Sequence, residues 1–241
     1  MSDDKAVLIQ MGISPFCDKV RRVLHYKGIP FTTREVQVAR LGALRKLAPT
    51  GKVPILEYAG QRVYDSTDIS LWLEELHPQP ALLPEDPALR AEVLLLEDWA
   101  DESLYFFEMT MRFVWRDENR HWSRQLTRHD NALVRFLSPW LVPRLTGTIA
   151  GHQGIGRKRR EQVLGDLRRL FAALQVRIEG SGYCVGEHLS LADIAVASQL
   201  HCITDVAAGR ALLAQFPLLA EWKARIDAAT RPHDSCEVQR T

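Results

Sequence analysis

The chain has almost no charge imbalance, 31 Lys and Arg against 30 Asp and Glu, a formal net charge of +1 in 241 residues. So small a field recruits neither nucleic acid nor an anionic membrane surface. Cysteine is scarce. Cys17, Cys184, Cys202 and Cys236 form no CxxC pair and no Cys/His metal spacing. That pattern argues against a disulfide framework or a structural zinc and points to a reducing compartment, the cytoplasm. No pair among the eight histidines has ligand spacing backed by a third donor, so no metal is expected. No apolar run approaches the length of a membrane span, and Met1-Ser2-Asp3-Asp4-Lys5 is acidic with no apolar signal region. Internal repeats and low-complexity tracts are also missing.

What the chain does have is 46% hydrophobic content, enough for two modest domains with cores of their own. Residues 6–11 form a short apolar run without alternation, the pattern of a strand buried on both faces. Pro15 then opens a helix that carries Val20, Val23, Leu24 and Tyr26 at helical spacing and stops at Gly28-Ile29-Pro30. A second strand is predicted over 31–38 and a short helix over 41–47. A hairpin over 54–58 and 62–64 follows, and then a helix capped by Ser66 whose Ile69, Trp72, Leu73 and Leu76 share a face. This β-α-β-α-β-β-α order is that of a thioredoxin-like α/β domain, placed at 1–78. The proline-dense stretch 79–87 is a linker. From 88 to 230 the pattern is helical, predicting an all-α domain with helices over 88–116, 124–145 with a bend at Ser138-Pro139 and Pro143, 157–178, 191–204 and after Pro217, and a tail at 231–241.

Three motifs carry chemistry. An X-Pro bond adopts cis at modest cost, and a cis Val53-Pro54 opening a strand would turn the Val53 N–H and C=O outward to pair with an extended peptide ligand. Asp65-Ser66 opens a helix, and Ser14-Pro15-Phe16-Cys17 sits at a strand-to-helix junction. At that spacing the three resemble the glutathione transferase family, over nearly the whole chain. Phe216 to Trp222 is similar to the family's entry to its last core helix. The run Tyr183 to Ile194, with the capping box Ser190-Leu191-Ala192-Asp193, is similar to its folding signature in the α domain.

The resemblance implies roles. Ser14, just before a helix N-terminus, would donate a hydrogen bond to the glutathione thiolate and lower the thiol pKa; the alternative is a plain N-cap. Asp65 would accept from the γ-glutamyl ammonium while Ser66 donates to the α-carboxylate, against a reading as turn plus cap. Val53 and Pro54 would hold the cysteinyl part, and Lys52 would meet the glycine carboxylate or stay a solvated surface lysine. Cys17, a turn into the helix, faces the sheet as a buried thiol; exposure would let it form a mixed disulfide with glutathione. Phe16, Tyr105 and Met109 are candidates for an electrophile pocket, or else for core or subunit interface. Glu97, Asp98, Asp101 and Glu102 read as a solvated face, and Arg157 to Arg160 as an exposed helix start. The implied protein is a cytosolic serine-type homodimer that uses glutathione as co-substrate, without a cofactor, and attacks a small hydrophobic electrophile by conjugation or dehalogenation. Isomerisation is less supported, because a Ser-Ser-Cys cluster is missing. A non-catalytic binding or regulatory protein on the same scaffold is the alternative from another class.

Overall fold

The computed structural model of the chain describes residues 5–231. The acidic N-terminus up to Asp4, Cys236 and all of the expected tail but Arg231 lie outside those residues. The first element, β1 (Ala6–Gln10), buries Ala6, Leu8 and Ile9. It sits inside a four-stranded sheet of order β2-β1-β3-β4. β2 (Phe31–Glu35) runs parallel to it with Ala6 opposite Phe31, and β3 (Ile55–Tyr58) runs antiparallel with Leu8 opposite Leu56. A strand paired on both edges and covered on its faces has no solvated side, which is why β1 reads as apolar without alternation. β4 (Gln61–Tyr64) completes a hairpin through Ala59 and Gly60, both at positive φ as a two-residue primed turn requires.

α1 (Pro15–Tyr26) begins at a proline, whose missing N–H would have no partner there, and ends before Gly28 at φ +66°. The short helix expected at 41–47 is instead a run of 3₁₀ turns, Val38–Lys46, of which only Leu44 is buried. Gly42 weakens a regular helix there, and a single buried side chain gives little packing to offset it. α2 (Ser66–Leu76) follows β4 and buries Ile69, Ser70 and Leu73. The Val53–Pro54 and Gln79–Pro80 bonds are cis.

The helical part opens with α3 (Pro87–Trp99), which runs through a π-helical stretch, Ala100–Leu104, into α4 (Tyr105–Met109) and a second π stretch, Thr110–Val114. The single helix expected over 124–145 is two, α5 (Asn119–Leu126) and α6 (Ala132–Gln153). The break falls at residues 127–131, and α6 continues through both Pro139 and Pro143. Two hydrogen bonds account for this difference. The Asn131 side chain accepts from the Val134 N–H at 3.0 Å and so starts α6. The Ser138 hydroxyl donates at 3.0 Å to the Arg135 carbonyl, which Pro139 cannot serve because it has no N–H. α7 (Arg160–Ser181), α8 (Leu191–Asp205) and α10 (Pro217–Thr230) match expected helices within a few residues, whereas α9 (Ala207–Leu213) was not anticipated. α8 is the axis of the core: from Leu191 to Leu200 every residue is buried. Its start is fixed by the Asp193 carboxylate, which accepts from the Ser190 N–H at 2.9 Å, the Cys184 N–H at 2.8 Å and the Trp222 ring N–H at 3.0 Å.

Candidate functional site

Ser14 closes the turn between β1 and α1 and is the N-cap of α1. Its backbone is extended (φ −78°, ψ 128°), and its Oγ accepts from the Cys17 N–H at 3.4 Å. An Oγ that accepts keeps its own hydrogen to donate. The first amides of α1 and the positive end of its dipole meet at the same place, so this half-buried hydroxyl stands where an anion is favoured. The turn is held from several directions. Gly12 N–H donates to Glu35 Oε2 at 3.0 Å, Arg21 donates to the Gly12 carbonyl at 3.2 Å, and from the helical part Arg112 donates to the Ile13 carbonyl at 3.0 Å. Arg112 is itself buried, paired with Glu108 at 3.2 Å and stacked 3.9 Å over the Trp122 ring. Sequence alone gave no sign that a residue a hundred positions away anchors the Ser14 turn.

Cys17 is fully buried, and burial pushes its thiol up to about 11 against the opposing charge of Arg21. A thiol held neutral inside the core is neither nucleophile nor disulfide partner at neutral pH. Cys184 and Cys202 are likewise buried and free.

The cap of α2 is Asp65 rather than the expected Ser66, because the Asp65 Oδ1 accepts from the Thr67 N–H at 2.9 Å and the Asp68 N–H at 3.5 Å while Ser66 is the first helical residue. The Asp65 side chain is exposed, so Oδ2 remains free to take an ammonium. The residue sits at φ +76°, a left-handed conformation that non-glycine residues adopt at a cost of order 1–3 kcal/mol and that recurs where ligands are clamped. Ser66 is buried, and its hydroxyl turns inward to donate to Asp101 Oδ2 at 3.5 Å. Its backbone N–H, first in α2, is the group left for a ligand. Lys52 is exposed, and no turn, loop or side-chain hydrogen bond among the described residues engages the Val53 backbone.

Beneath the first turn of α2 lies a buried charge cluster. Lys19, only 1% exposed, binds both Glu97 and Asp101 and donates to the Thr67 hydroxyl at 3.2 Å; that hydroxyl donates in turn to Glu97 at 2.8 Å. The reading of Glu97 and Asp101 as part of a solvated face is therefore corrected, whereas Asp98 and Glu102 are exposed. The reason is geometric: Glu97 and Asp101 follow buried Val93 at successive spacings of four, on the face turned toward α1, where Lys19 supplies the opposite charge. Burial pushes the Asp101 carboxyl up to about 6, with Lys19 opposing and Glu97 adding to the rise. The one available signal was a lysine placed four residues before Val23, on the apolar face of α1.

On the other side of Ser14, Phe16 and Tyr105 are half-buried and their rings meet at 4.9 Å between centroids. Met109 is 4% exposed and packs with Phe113, Trp122 and Val142 in a small core of its own. Phe16 and Tyr105 are thus the members of the expected pocket set that keep an accessible edge.

Residues 8–81 match the family model of the glutathione S-transferase N-terminal domain and residues 157–225 that of the C-terminal domain, between them more than half of the sequence. The chain is similar to a maleylacetoacetate isomerase of Pseudomonas aeruginosa, with 28% identity over 194 residues that cover 76% of this chain and 74% of that one. It is 27% identical over 158 residues to a probable maleylacetoacetate isomerase of Drosophila melanogaster, a match that covers 65% of this chain and spans about half, 49%, of the relative. The crystal structure of a glutathione S-transferase from Rhodospirillum rubrum superimposes with a TM-score of 0.69 at 24% identity, covering 97% of this chain and 94% of that one, which shows a shared fold. A thioredoxin-like sheet carrying Ser14 and Asp65 at its helix starts, joined to a helical bundle and matched by both domain models, places the chain in the glutathione S-transferase family.

Proposed function

We propose that the chain is a glutathione transferase in which the Ser14 hydroxyl stabilises the thiolate of bound glutathione for attack on a small hydrophobic electrophile. The observation that carries this reading is the half-buried Ser14 Oγ at the open start of α1, accepting from one amide and keeping its proton to donate. Glutathione would lie along the thioredoxin-like unit, its cysteinyl part on Val53 and Pro54, its γ-glutamyl end between Asp65 and the Ser66 N–H, and its glycine carboxylate toward Lys52. The thiol proton leaves to solvent. The thiolate then forms a C–S bond to the acceptor, which lies toward Phe16 and Tyr105, as the leaving group departs with its electron pair.

The names of the curated relatives favour a second reading on the same site, isomerisation, in which the thiolate adds to an unsaturated acceptor and is expelled again. An electrophile panel separates the two by product: a stable conjugate or released halide supports transfer, and a rearranged acceptor with glutathione recovered supports isomerisation.

The test of Ser14 is the absorbance of bound glutathione thiolate against pH in wild type and Ser14→Ala. One charge-assisted hydrogen bond contributes about 1.5–3 kcal/mol, so Ser14→Ala is expected to retain binding, raise the thiol pKa and lower turnover at neutral pH by roughly ten- to a hundredfold. Cys17→Ala is expected to keep most of the activity. Superimposable titration curves would reduce Ser14 to a helix cap and leave the non-catalytic binding protein as the better account.

A further inference from the structure

The peptide that joins Ile13 to Ser14 is pinned at both ends. Its N–H, that of Ser14, donates to the Met11 carbonyl at 2.9 Å, and its oxygen, that of Ile13, accepts from Arg112 at 3.0 Å. A peptide unit is planar, so these two bonds leave little freedom to the plane that carries the Ser14 Cα. The other donor on the Ile13 oxygen is the Cys202 thiol, at 3.8 Å a weak one, and the orientation of Ser14 at the start of α1 therefore hangs on Arg112. Arg112 is held in a way that packing alone does not require. It is 1% exposed in the second π stretch, its guanidinium lies flat over the Trp122 ring at 3.9 Å, and its Nη1 serves both Glu108, at 3.2 Å, and the Ile13 carbonyl. Its Nε is buried with no hydrogen-bond partner among the described residues. A buried guanidinium with an unmet N–H costs more than an apolar side chain of the same bulk. Its counter-ion is strained as well: burial pushes the Glu108 carboxyl up to about 6, against the attraction of Arg112. The pair is thus a poor source of stability and a precise holder of one carbonyl, the carbonyl next to Ser14.

We infer that Arg112 is a positioning residue for the thiolate: it fixes the Ile13–Ser14 peptide so that the Ser14 Oγ keeps its cap bond to the Cys17 N–H and holds its own hydrogen toward the glutathione sulfur. The inference rests on the reading of Ser14 as the group that stabilises that thiolate. Arg112 bonds to none of the residues assigned to the rest of glutathione, Lys52, Val53, Asp65 and Ser66, so its effect falls on the thiol and on turnover rather than on affinity. Geometry, not charge alone, makes it an arginine. The planar fork lies on Trp122 and serves two acceptors from one fixed plane, whereas a lysine in its place brings the same charge on a flexible stem that neither stacks nor forks. Arg112→Lys therefore separates position from charge.

The test follows the absorbance of bound glutathione thiolate against pH on the full chain, together with glutathione affinity and kcat, for Arg112→Lys and for Arg112→Met made with Glu108→Gln so that no carboxylate is buried without its cation. Each is measured with Ser14 present and in a Ser14→Ala background. Expected with Ser14 present are glutathione affinity within about twofold of wild type, a thiol pKa raised by up to about one, and kcat at neutral pH lowered about three- to tenfold, recovering in part as pH rises. In the Ser14→Ala background neither change at Arg112 is expected to move the titration further, because the group through which Arg112 acts is gone. Amide exchange at Ser14 is expected to be faster in both variants. Should the double substitution fail to fold, Arg112→Lys carries every readout by itself. An Arg112→Lys titration that superimposes on wild type while that of Ser14→Ala is shifted overturns the inference and leaves the reading of Ser14 intact. A shift of equal size with and without Ser14 also overturns it, since Arg112 would then act on the thiolate by its charge alone. Curves for wild type and Ser14→Ala that coincide defeat the reading of Ser14, and this inference with it.

Discussion

The seam where α1 meets the helical part and the outer face of α6 follow opposite rules. At the seam the protein buries charge: Arg22, with no exposed surface, binds Asp18 at 2.7 Å, Asp227 of α10 at 2.6 Å and the Thr230 hydroxyl at 2.8 Å, one turn along from the Lys19 cluster. On α6 it exposes hydrocarbon. Buried ion pairs add little to net stability over a well-packed apolar core, yet they tolerate no missing partner and so fix one arrangement of α1 against its neighbours. Ser14 and Asp65 cap the helices that this seam locks, and the site inherits its geometry from there. The α6 face fixes nothing within the chain and stays open to another surface.

The strongest way to break the seam is Arg22→Met. It keeps the bulk and leaves Asp18 and Asp227 without their shared cation, so a loss of about 3–5 kcal/mol in denaturant unfolding is expected. A loss under 1 kcal/mol would show that water reaches the carboxylates and that the seam does not lock α1.

The two clusters of the seam are predicted to respond to pH in opposite senses. Burial pushes the Asp18 carboxyl up, but Arg22 and Arg21 together outweigh it and hold it well below the usual carboxylate range. Its contribution is present above the unfolded pKa of about 4 and is lost as pH falls through the lower folded value. Asp101 is raised to about 6, so its contribution is complete below about 4 and is lost as pH rises through 6. Relative to Asp101→Asn, wild type should therefore lose on the order of 2–3 kcal/mol between pH 4 and pH 7. Parallel stability curves for the two proteins over that range would mean that Lys19 keeps Asp101 ionised throughout.

The same contrast explains what could be read from the residues. Strand β1, the Pro15 helix start, the Ser190–Asp193 box and the β1-α1 and β4-α2 junctions all rest on local signals of a few residues, and those were legible. Asp18 and Glu108 stand four residues before Arg22 and Arg112, a local spacing, but the partners that cross the seam, Glu97 and Asp101 for Lys19, Asp227 and Thr230 for Arg22 and the Ile13 carbonyl for Arg112, lie in distant segments that no local pattern announces. Glu97 and Asp101 were read as solvated because they are acidic, although Glu97 falls four residues after buried Val93 and Asp101 four after Glu97, on the inward face of the same helix. The break between α5 and α6 was not legible because it falls at residues 127–131, where no proline or glycine stands to mark it, while Ser138 serves the carbonyl that Pro139 leaves without an N–H.

The smallest effect expected is the most specific to the outer face. Leu145 is 67% exposed on one chain, so Leu145→Gln removes almost no buried surface from the monomer, and its unfolding free energy should change by no more than about 0.5 kcal/mol. If the face is covered by a second copy, however, folding is linked to association, and the wild-type melting temperature rises with protein concentration as ligand binding would raise it. Leu145→Gln should flatten that dependence while leaving the dilute limit where it was. Thermal scans of both proteins over a hundredfold range of concentration read the two quantities separately. A wild-type melting temperature that does not move with concentration would show that the face is bare in solution, and a variant displaced equally at every concentration would show that Leu145 packs within its own chain.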